Sequence, residues 1–282
     1  MAFSPLAGLR VVSTALNLPG PAACARLRDL GATVTKVEPP SGDPFEAFCP
    51  AWYRRLHEGM DVMRTDLKTE AGRDELHALL EQADLLVTAQ RASALVRLGI
   101  VASELAERFP RLCHVAITGH PQPDEETPGH DLTYMAVNGL LTPPAMPPTL
   151  FADMAGAERA VSMALALVIA RNREGRGFSA PSPLAEVAAY LAQPLREGLT
   201  TPGALLGGGS AGYNLYAAKK GWIAVAALEP HFEKRLAQAL QLDRLEPSSM
   251  AALFTREDAL HWERWARERD LPIVALREIN SE

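Results

Sequence analysis

The first third of the chain alternates short apolar runs with amphipathic segments. "LRVVST" reads as a buried strand, "GPAACARLRDLG" as a helix ending at Gly31, and "ATVTKVE" as the next strand. "TEAGRDELHALLEQA" carries helical spacing, "DLLVTA" is a strand, "ASELAERF" a helix and "LCHVAITG" a further strand. Strand-helix alternation of this kind makes a parallel sheet covered by helices, whose ligands gather at the carboxyl ends of the strands. From Asp153, "DMAGAERAVSMALALVIARNREGRG" is apolar on most faces through its centre and is stopped by Gly175 and Gly177; a helix of that kind belongs inside the protein. After Gly207 the pattern changes. "YNLYAAKKGWIAVAAL" predicts two strands, 213–218 and 222–227, joined by a Lys-Lys-Gly turn, followed by helices at "HFEKRLAQAL" and "EDALHWERWARER" and a strand at "LPIVAL". The expected fold is α/β: a large Rossmann-like parallel-sheet domain over 1–195 that includes the long helix, and a smaller α+β domain over 196–282, with the boundary inside 175–210.

Bulk properties narrow the function. Of 282 residues, 48% are hydrophobic and 22% charged, as in soluble globular proteins. A net charge of −6 argues against a nucleic-acid partner held by phosphate attraction. The longest apolar run, Ala160 to Ala170, falls short of the about 20 residues that cross a bilayer, so no membrane partner is expected. The start, "MAFSPLAGLRVV", has no basic region followed by a long apolar stretch, so no signal peptide is expected, and the scattered Cys24, Cys49 and Cys113 suit a reducing cytoplasm better than a disulfide framework. No residue set has the spacing of a metal site. After the first strand comes "ALNLPGPAA", with neither a dinucleotide fingerprint nor a P-loop, and "GGGS" at 207–210 reads as a flexible linker, since no strand-then-helix context surrounds it.

Four positions stand out chemically. Asp131 precedes "LTYMAVNGLL" and Asp153 opens the long helix, so each is either an N-cap or a working carboxylate. Asp153 has a further reading: the free N–H groups and positive dipole end of its helix can bind an oxyanion beside a base or nucleophile. His130, against Asp131, is either a surface histidine or a proton carrier. Glu229 ends an apolar strand and precedes Pro230, a place where glutamate is a poor cap.

Taken together, "LAGLRVVSTALNLPGPAACARLRDLGATVTKVEPPSGDP", "TDLKTEAGRDELHALLEQADLLV", "LGI" at 98–100 and "ITG" at 117–119 resemble the family III CoA-transferases, closest to the α-methylacyl-CoA racemases among them. The similarity runs over about 6–175 and resumes at 213–276. It implies the fold of that family, a CoA thioester as substrate with no permanently bound cofactor, and a homodimer whose chains interlock. Interlocking depends on a C-terminal segment that returns to the large domain, which the family carries beyond the point corresponding to Glu282. Transferases of the family use an aspartate nucleophile, which falls at Asp153. The racemases pair that aspartate with a histidine from a "GHD-x-x-Y" segment and add a glutamate from "A-[IL]-E-P-x-F"; this chain reads "GHDLTY" at 129–134, "FADMAG" at 151–156 and "ALEPHF" at 227–232. The resemblance therefore implies racemisation of a 2-methylacyl-CoA by His130 and Asp153, with Asp131 and Glu229 orienting them. The alternatives are acyl-CoA transfer through Asp153 and a non-catalytic acyl-CoA-binding relative.

The CoA-holding segments of the family match Lys36, Thr65, Asp66, Leu67, Lys68, Ala89, Gln90, Arg91, Arg97 and Gly129 to Tyr134, with Lys36, Lys68, Arg91 and Arg97 expected to meet phosphates. Four segments depart from the family pattern, among them "RAS" at 91–93 in place of "RPG" and Gly59-Met60 in place of a basic "G-K/R". The glycine-rich turn after "ITG" is "HPQPDEETP", and after "EGRG" the expected strand gives way to "FSAPSPLAE".

Overall fold

The structure is a computed structural model describing residues 4–277. The chain divides into two units, Met1–Ala192 and Gln193–Glu282. The first begins with β1 (Arg10–Ser13), α1 (Pro19–Asp29), β2 (Thr33–Glu38), α2 (Pro44–Phe48), α3 (Pro50–His57) and β3 (Asp61–Arg64). It continues through α4 (Glu70–Leu80), β4 (Leu85–Thr88), α5 (Ala92–Arg97), α6 (Ala102–Arg108) and β5 (Cys113–Thr118). α7 (Asp131–Val137), α8 (Phe151–Glu174), β6 (Ser179–Pro183) and α9 (Leu184–Leu191) complete it. The six strands are parallel, in the order β3-β2-β1-β4-β5-β6. That order reverses direction between β1 and β4, the crevice where sheets of this type bind ligands.

Alternation along the strands supplies both cores. Val11, Leu85, Val87 and Val115 pack with α1 and α8 on one face, while Val12, Val37 and Leu86 face Leu76, Leu95 and Leu105 on the other. Because successive side chains of a strand point to opposite faces, a strand covered on both sides must be apolar throughout. β4 is, with all four residues buried. α8 meets α1 through Ala157, Ala160 and Ala164 beside Ala22 and Ala23, small side chains that let the two backbones approach.

Two sequence expectations are corrected. "FSAPSPLAE" does form a strand: β6 pairs with β5 from His114 opposite Ser179 to Thr118 opposite Pro183. β6 is the last strand of its sheet, so Pro181 and Pro183 can sit where a missing N–H costs no ladder bond. The "GGGS" stretch is a folded turn rather than a linker. Gly209 N donates to Ala204 O at 2.8 Å, Gly203 N donates to Gly207 O at 2.9 Å, and a Cβ on Gly207 would lie 1.9 Å from Thr201 O.

The second unit contains α10 (Gln193–Arg196), β7 (Tyr213–Ala217), β8 (Trp222–Ala226), α11 (Pro230–Leu240), α12 (Pro247–Phe254), α13 (Ala259–Arg267) and β9 (Ile273–Ala275). β7, β8 and β9 make an antiparallel sheet. Tyr216, Ile223, Leu236, Met250, Phe254 and Trp262 fill its core. No helix of the described residues is long and apolar enough to cross a membrane.

Lys36 lies inside the first unit. Expected at a phosphate, it is 1% exposed, and its ammonium bonds Asp43 Oδ2, His57 Nε2 at 2.8 Å and Glu38 Oε1 at 3.1 Å. An ammonium has three N–H donors, and all three are taken. His57 donates from Nδ1 to Tyr53 O at 2.7 Å, leaving Nε2 to accept; burial first, and then the Lys36 charge, hold its pKa below the usual value. Burial raises the Glu38 carboxyl, but the Tyr53 hydroxyl at 2.7 Å together with Lys36 outweighs it and brings the pKa below normal. Glu38, Asp43 and His57 offer the donor set of a metal site, but the ammonium already bonds all three. Lys36→Met would leave the buried Asp43 carboxylate without its cation and Glu38 with only Arg64 at 3.4 Å, so urea unfolding should show a loss of about 3–5 kcal/mol.

Candidate active site

A cavity of about 260 Å³ opens at the carboxyl ends of β1, β4 and β5. Its lining draws Leu16 and Asn17 from the turn after β1, Pro19 from the start of α1, Ala89 and Arg91 from the turn after β4, and Thr118 and Gly119 from the end of β5. Gly129, His130 and Tyr134 reach it from the start of α7, Asp153 from the first turn of α8, and Leu184 from the start of α9. Six of the residues singled out in the sequence therefore meet here: Ala89, Arg91, Gly129, His130, Tyr134 and Asp153.

Asp131 explains how two of them converge. It is not the N-cap of its own helix: His130 takes that place, with Thr133 Oγ1 accepting from His130 N at 3.0 Å. The buried Asp131 carboxylate instead caps a different helix. Its Oδ1 accepts from Ala152 N at 2.6 Å and from Asp153 N at 3.0 Å, the second and third residues of α8. Those are the N–H groups that a capping side chain normally takes. Asp131 thus takes two of the donors on which the oxyanion reading of this helix end relied. α8 starts at Phe151, so Asp153 is its third residue and no cap.

Among the described residues none donates to the Asp153 carboxylate. Burial, followed by the neighbouring Asp131 charge, raises its pKa from 3.8 to about 6. Tyr134 is buried, and its hydroxyl is pushed up to about 12 by burial and then by the Asp153 charge. Glycines make room for this ring: a Cβ on Gly129 would lie 2.4 Å from Tyr134 Cε1, and one on Gly119 2.5 Å from its hydroxyl. "GHDLTY" thus places a capping aspartate, a cavity histidine and a wall tyrosine in six residues.

Other expected residues lie elsewhere. Thr65 and Leu67 are buried, Leu67 in the core on the α4 side of the sheet, and Asp66 Oδ1 accepts from Lys68 N at 3.0 Å in the turn before α4. Lys68 and Arg97 are exposed. Gln90 ties the end of β4 to that of β1, exchanging hydrogen bonds with Thr14 O at 2.5 Å and Thr14 Oγ1 at 3.1 Å. Glu229 belongs to the second unit, where it is the exposed N-cap of α11 and makes no side-chain capping bond. Sequence reasoning missed Asn17, Thr118 and Glu125 as lining residues. The position of Asn17, just past the first strand, was the available signal.

The family model of CoA-transferase family III matches residues 6–272. The chain belongs to this family. A cinnamoyl-CoA:phenyllactate CoA-transferase of Clostridium sporogenes is 33% identical to it over 65% of this chain and 50% of that protein. A CaiB/baiF CoA-transferase family protein of Caenorhabditis elegans is 29% identical over 84% of this chain and 73% of its own length. This family III chain thus spans half the length of the first of these relatives. A crystal structure of Rv3272 from Mycobacterium tuberculosis, 24% identical, superimposes with a TM-score of 0.84 over 98% of this chain and 83% of that one. A CAIB/BAIF family protein from Brucella suis, 22% identical, gives 0.81 over 98% and 84%. The fold is that of the family III CoA-transferases.

Two predictions follow from the helix end. Asp131→Ala removes the cap of α8 and should cost about 2 kcal/mol in urea unfolding. Asp153 binds its proton more tightly folded than unfolded, so folding loses stability as pH rises from about 4 to about 6, and the cost is fully present above that. Asp153→Asn should therefore melt higher than the parent at pH 7–8, with the gap closing near pH 4 in pH-dependent thermal melts.

Proposed function

We propose that this family III chain acts on an acyl-CoA thioester by moving the proton at C2, with a 2-methylacyl-CoA as substrate. The observation that carries this reading is that Asp153, whose carboxyl takes its proton near pH 6, lines one cavity with His130. A hydrogen α to a thioester carbonyl is weakly acidic and needs a base whose proton affinity is not far below the operating pH. An ordinary aspartate is too weak a base for this, and burial corrects that. One member of the pair takes the C2 proton and the electron pair moves to the carbonyl oxygen as an enolate. The other member then delivers a proton to the opposite face of C2. The roles exchange for the other enantiomer, and both groups return to their starting state by exchange with water.

The chain's cations fit the CoA part of such a substrate. Arg91 lines the cavity, and Lys68 and Arg97 present exposed charges on the first unit. A guanidinium fork is well matched to phosphate oxygens. By resemblance the working unit is a homodimer, which light scattering tests directly.

A second reading has its own support. The relatives named above are CoA-transferases by name, and among the described residues none donates to the Asp153 carboxylate. Such a carboxylate can attack the thioester carbonyl, expelling CoA thiolate and forming a mixed anhydride. The thiolate then attacks the aspartyl carbonyl, freeing the first carboxylic acid and leaving an aspartyl-CoA thioester for the next acid.

Incubating one enantiomer of a 2-methylacyl-CoA with the protein in heavy water separates the two. Deuterium at C2 with loss of chiral purity is expected, and His130→Ala should lower that exchange by at least about 100-fold. Asp153→Ala should remove it while CoA still binds. CoA exchange onto a free carboxylic acid, without deuterium at C2, would reject proton transfer in favour of the second reading. Where Asp153 acts as the base, exchange should fall as pH drops through about 6.

A further inference from the structure

The turn after β5 brings an unpaired carboxylate into the cavity wall. Glu125 is the second residue of a turn closed by Thr127 N donating to Asp124 O at 2.9 Å. The next residue anchors that turn: the Glu126 carboxylate accepts from Ser93 N at 2.7 Å and from Ser93 Oγ at 2.8 Å at the start of α5. The backbone bond first, then the hydroxyl, holds the Glu126 carboxyl below its usual pKa. Pinned on both sides, Glu125 lines the cavity of Asp153 and also a mostly apolar neighbouring cavity of about 300 Å³. Thr118 is in both walls as well.

Both residues carry a buried oxygen with no hydrogen-bond partner, Glu125 Oε2 and Thr118 Oγ1. Among the described residues no cation pairs with Glu125. A buried carboxylate oxygen without a donor or a countercharge is costly, and a ligand that supplies both recovers that cost. A methyl group would supply neither, and a second carboxylate would be repelled. A hydroxyl would bring a donor but no charge. A protonated amine supplies the charge and three N–H donors, enough for the carboxylate and for the threonine oxygen.

We infer that Glu125 and Thr118 form a subsite for a protonated amine on the acyl group of the CoA thioester. The subsite depends on the CoA-thioester reading of the cavity and assigns it a substrate class, an amino-acyl thioester in place of a purely apolar one. Glu125 selects the substrate; the chemistry stays with His130 and Asp153.

Calorimetric titration of the full chain with matched thioesters tests this, using 3-aminopropanoyl-CoA against butanoyl-CoA and 6-aminohexanoyl-CoA against heptanoyl-CoA. In each pair an ammonium replaces a methyl group of nearly the same size. At least one amine should bind about tenfold or more tighter than its partner, the strength of one charge-assisted hydrogen bond. Glu125→Gln should abolish that preference while leaving the affinity for the methyl thioester unchanged or improved. Among the described residues the buried Glu125 Oε2 has no partner, so its variant should melt at or above the parent temperature. Equal or tighter binding of the methyl thioesters by the parent chain overturns the subsite, and so does a preference that survives Glu125→Gln. Deuterium exchange at C2 of a 2-methylacyl-CoA reports separately on the reaction. Amine preference without exchange keeps the subsite and rejects proton transfer; exchange without preference does the reverse. Failure of all four thioesters to bind rejects both.

Discussion

The candidate site depends on one carboxylate oxygen. Asp131 Oδ1 accepts from the second and third N–H groups of α8 across 21 and 22 residues of sequence. Helix starts leave N–H donors unpaired, and a start packed inside a protein must find them acceptors. The acceptor comes from the residue after His130, so capping α8 fixes the register between the start of α7 and the first turn of α8. His130 and Asp153 line one cavity because their chain neighbours are bonded together. The same contact adds a negative charge beside Asp153, and together with burial this makes Asp153 a stronger base than an ordinary aspartate. Two effects of one carboxylate are set against each other here: the cap stabilises the helix while its charge disfavours ionisation of Asp153.

The sheet places this contact where a ligand can reach it. Reversal of strand order between β1 and β4 leaves a crevice at their carboxyl ends, and the turns after β1, β4 and β5 form its rim. The buried network around Lys36 supports that rim from within. Asp43 Oδ1 caps α2 through Phe45 N at 2.9 Å and also accepts from Asn17 N at 2.9 Å. Asn17 lines the cavity in a left-handed conformation, φ 67°, uncommon for a residue other than glycine. The Lys36 ammonium holds the other Asp43 oxygen, so a buried charge outside the cavity lining helps to fix the shape of the cavity rim.

Much of the fold could be read from the chain. The strands at Leu85–Thr88 and Cys113–Thr118 and the helix ending at Gly175 lie close to where apolar periodicity placed them. β6 did not, because two prolines disguise a strand whose pairing is possible only at a sheet edge. α12, "PSSMAALF", also escaped, being eight residues long with no clear periodicity. In the site, "GHDLTY" and "FADMAG" were recognisable as short motifs, since a histidine or aspartate in a conserved-looking spacing is a local signal. Lys36 shows the limit of that signal. Its motif is the same whether the ammonium faces a phosphate or is enclosed by Glu38, Asp43 and His57.

The sequence alone determined most of the alternation of strands and helices, the family resemblance and which candidate acid-base side chains are present, because these follow from neighbours along the chain. Only the tertiary structure decided that Asp131 caps α8 rather than its own helix, that Lys36 is buried, and that Glu125 stands in the cavity wall. Burial, charge proximity and hydrogen-bond pairing act between residues tens of positions apart. A one-dimensional pattern records which side chains are present and leaves open which of them meet.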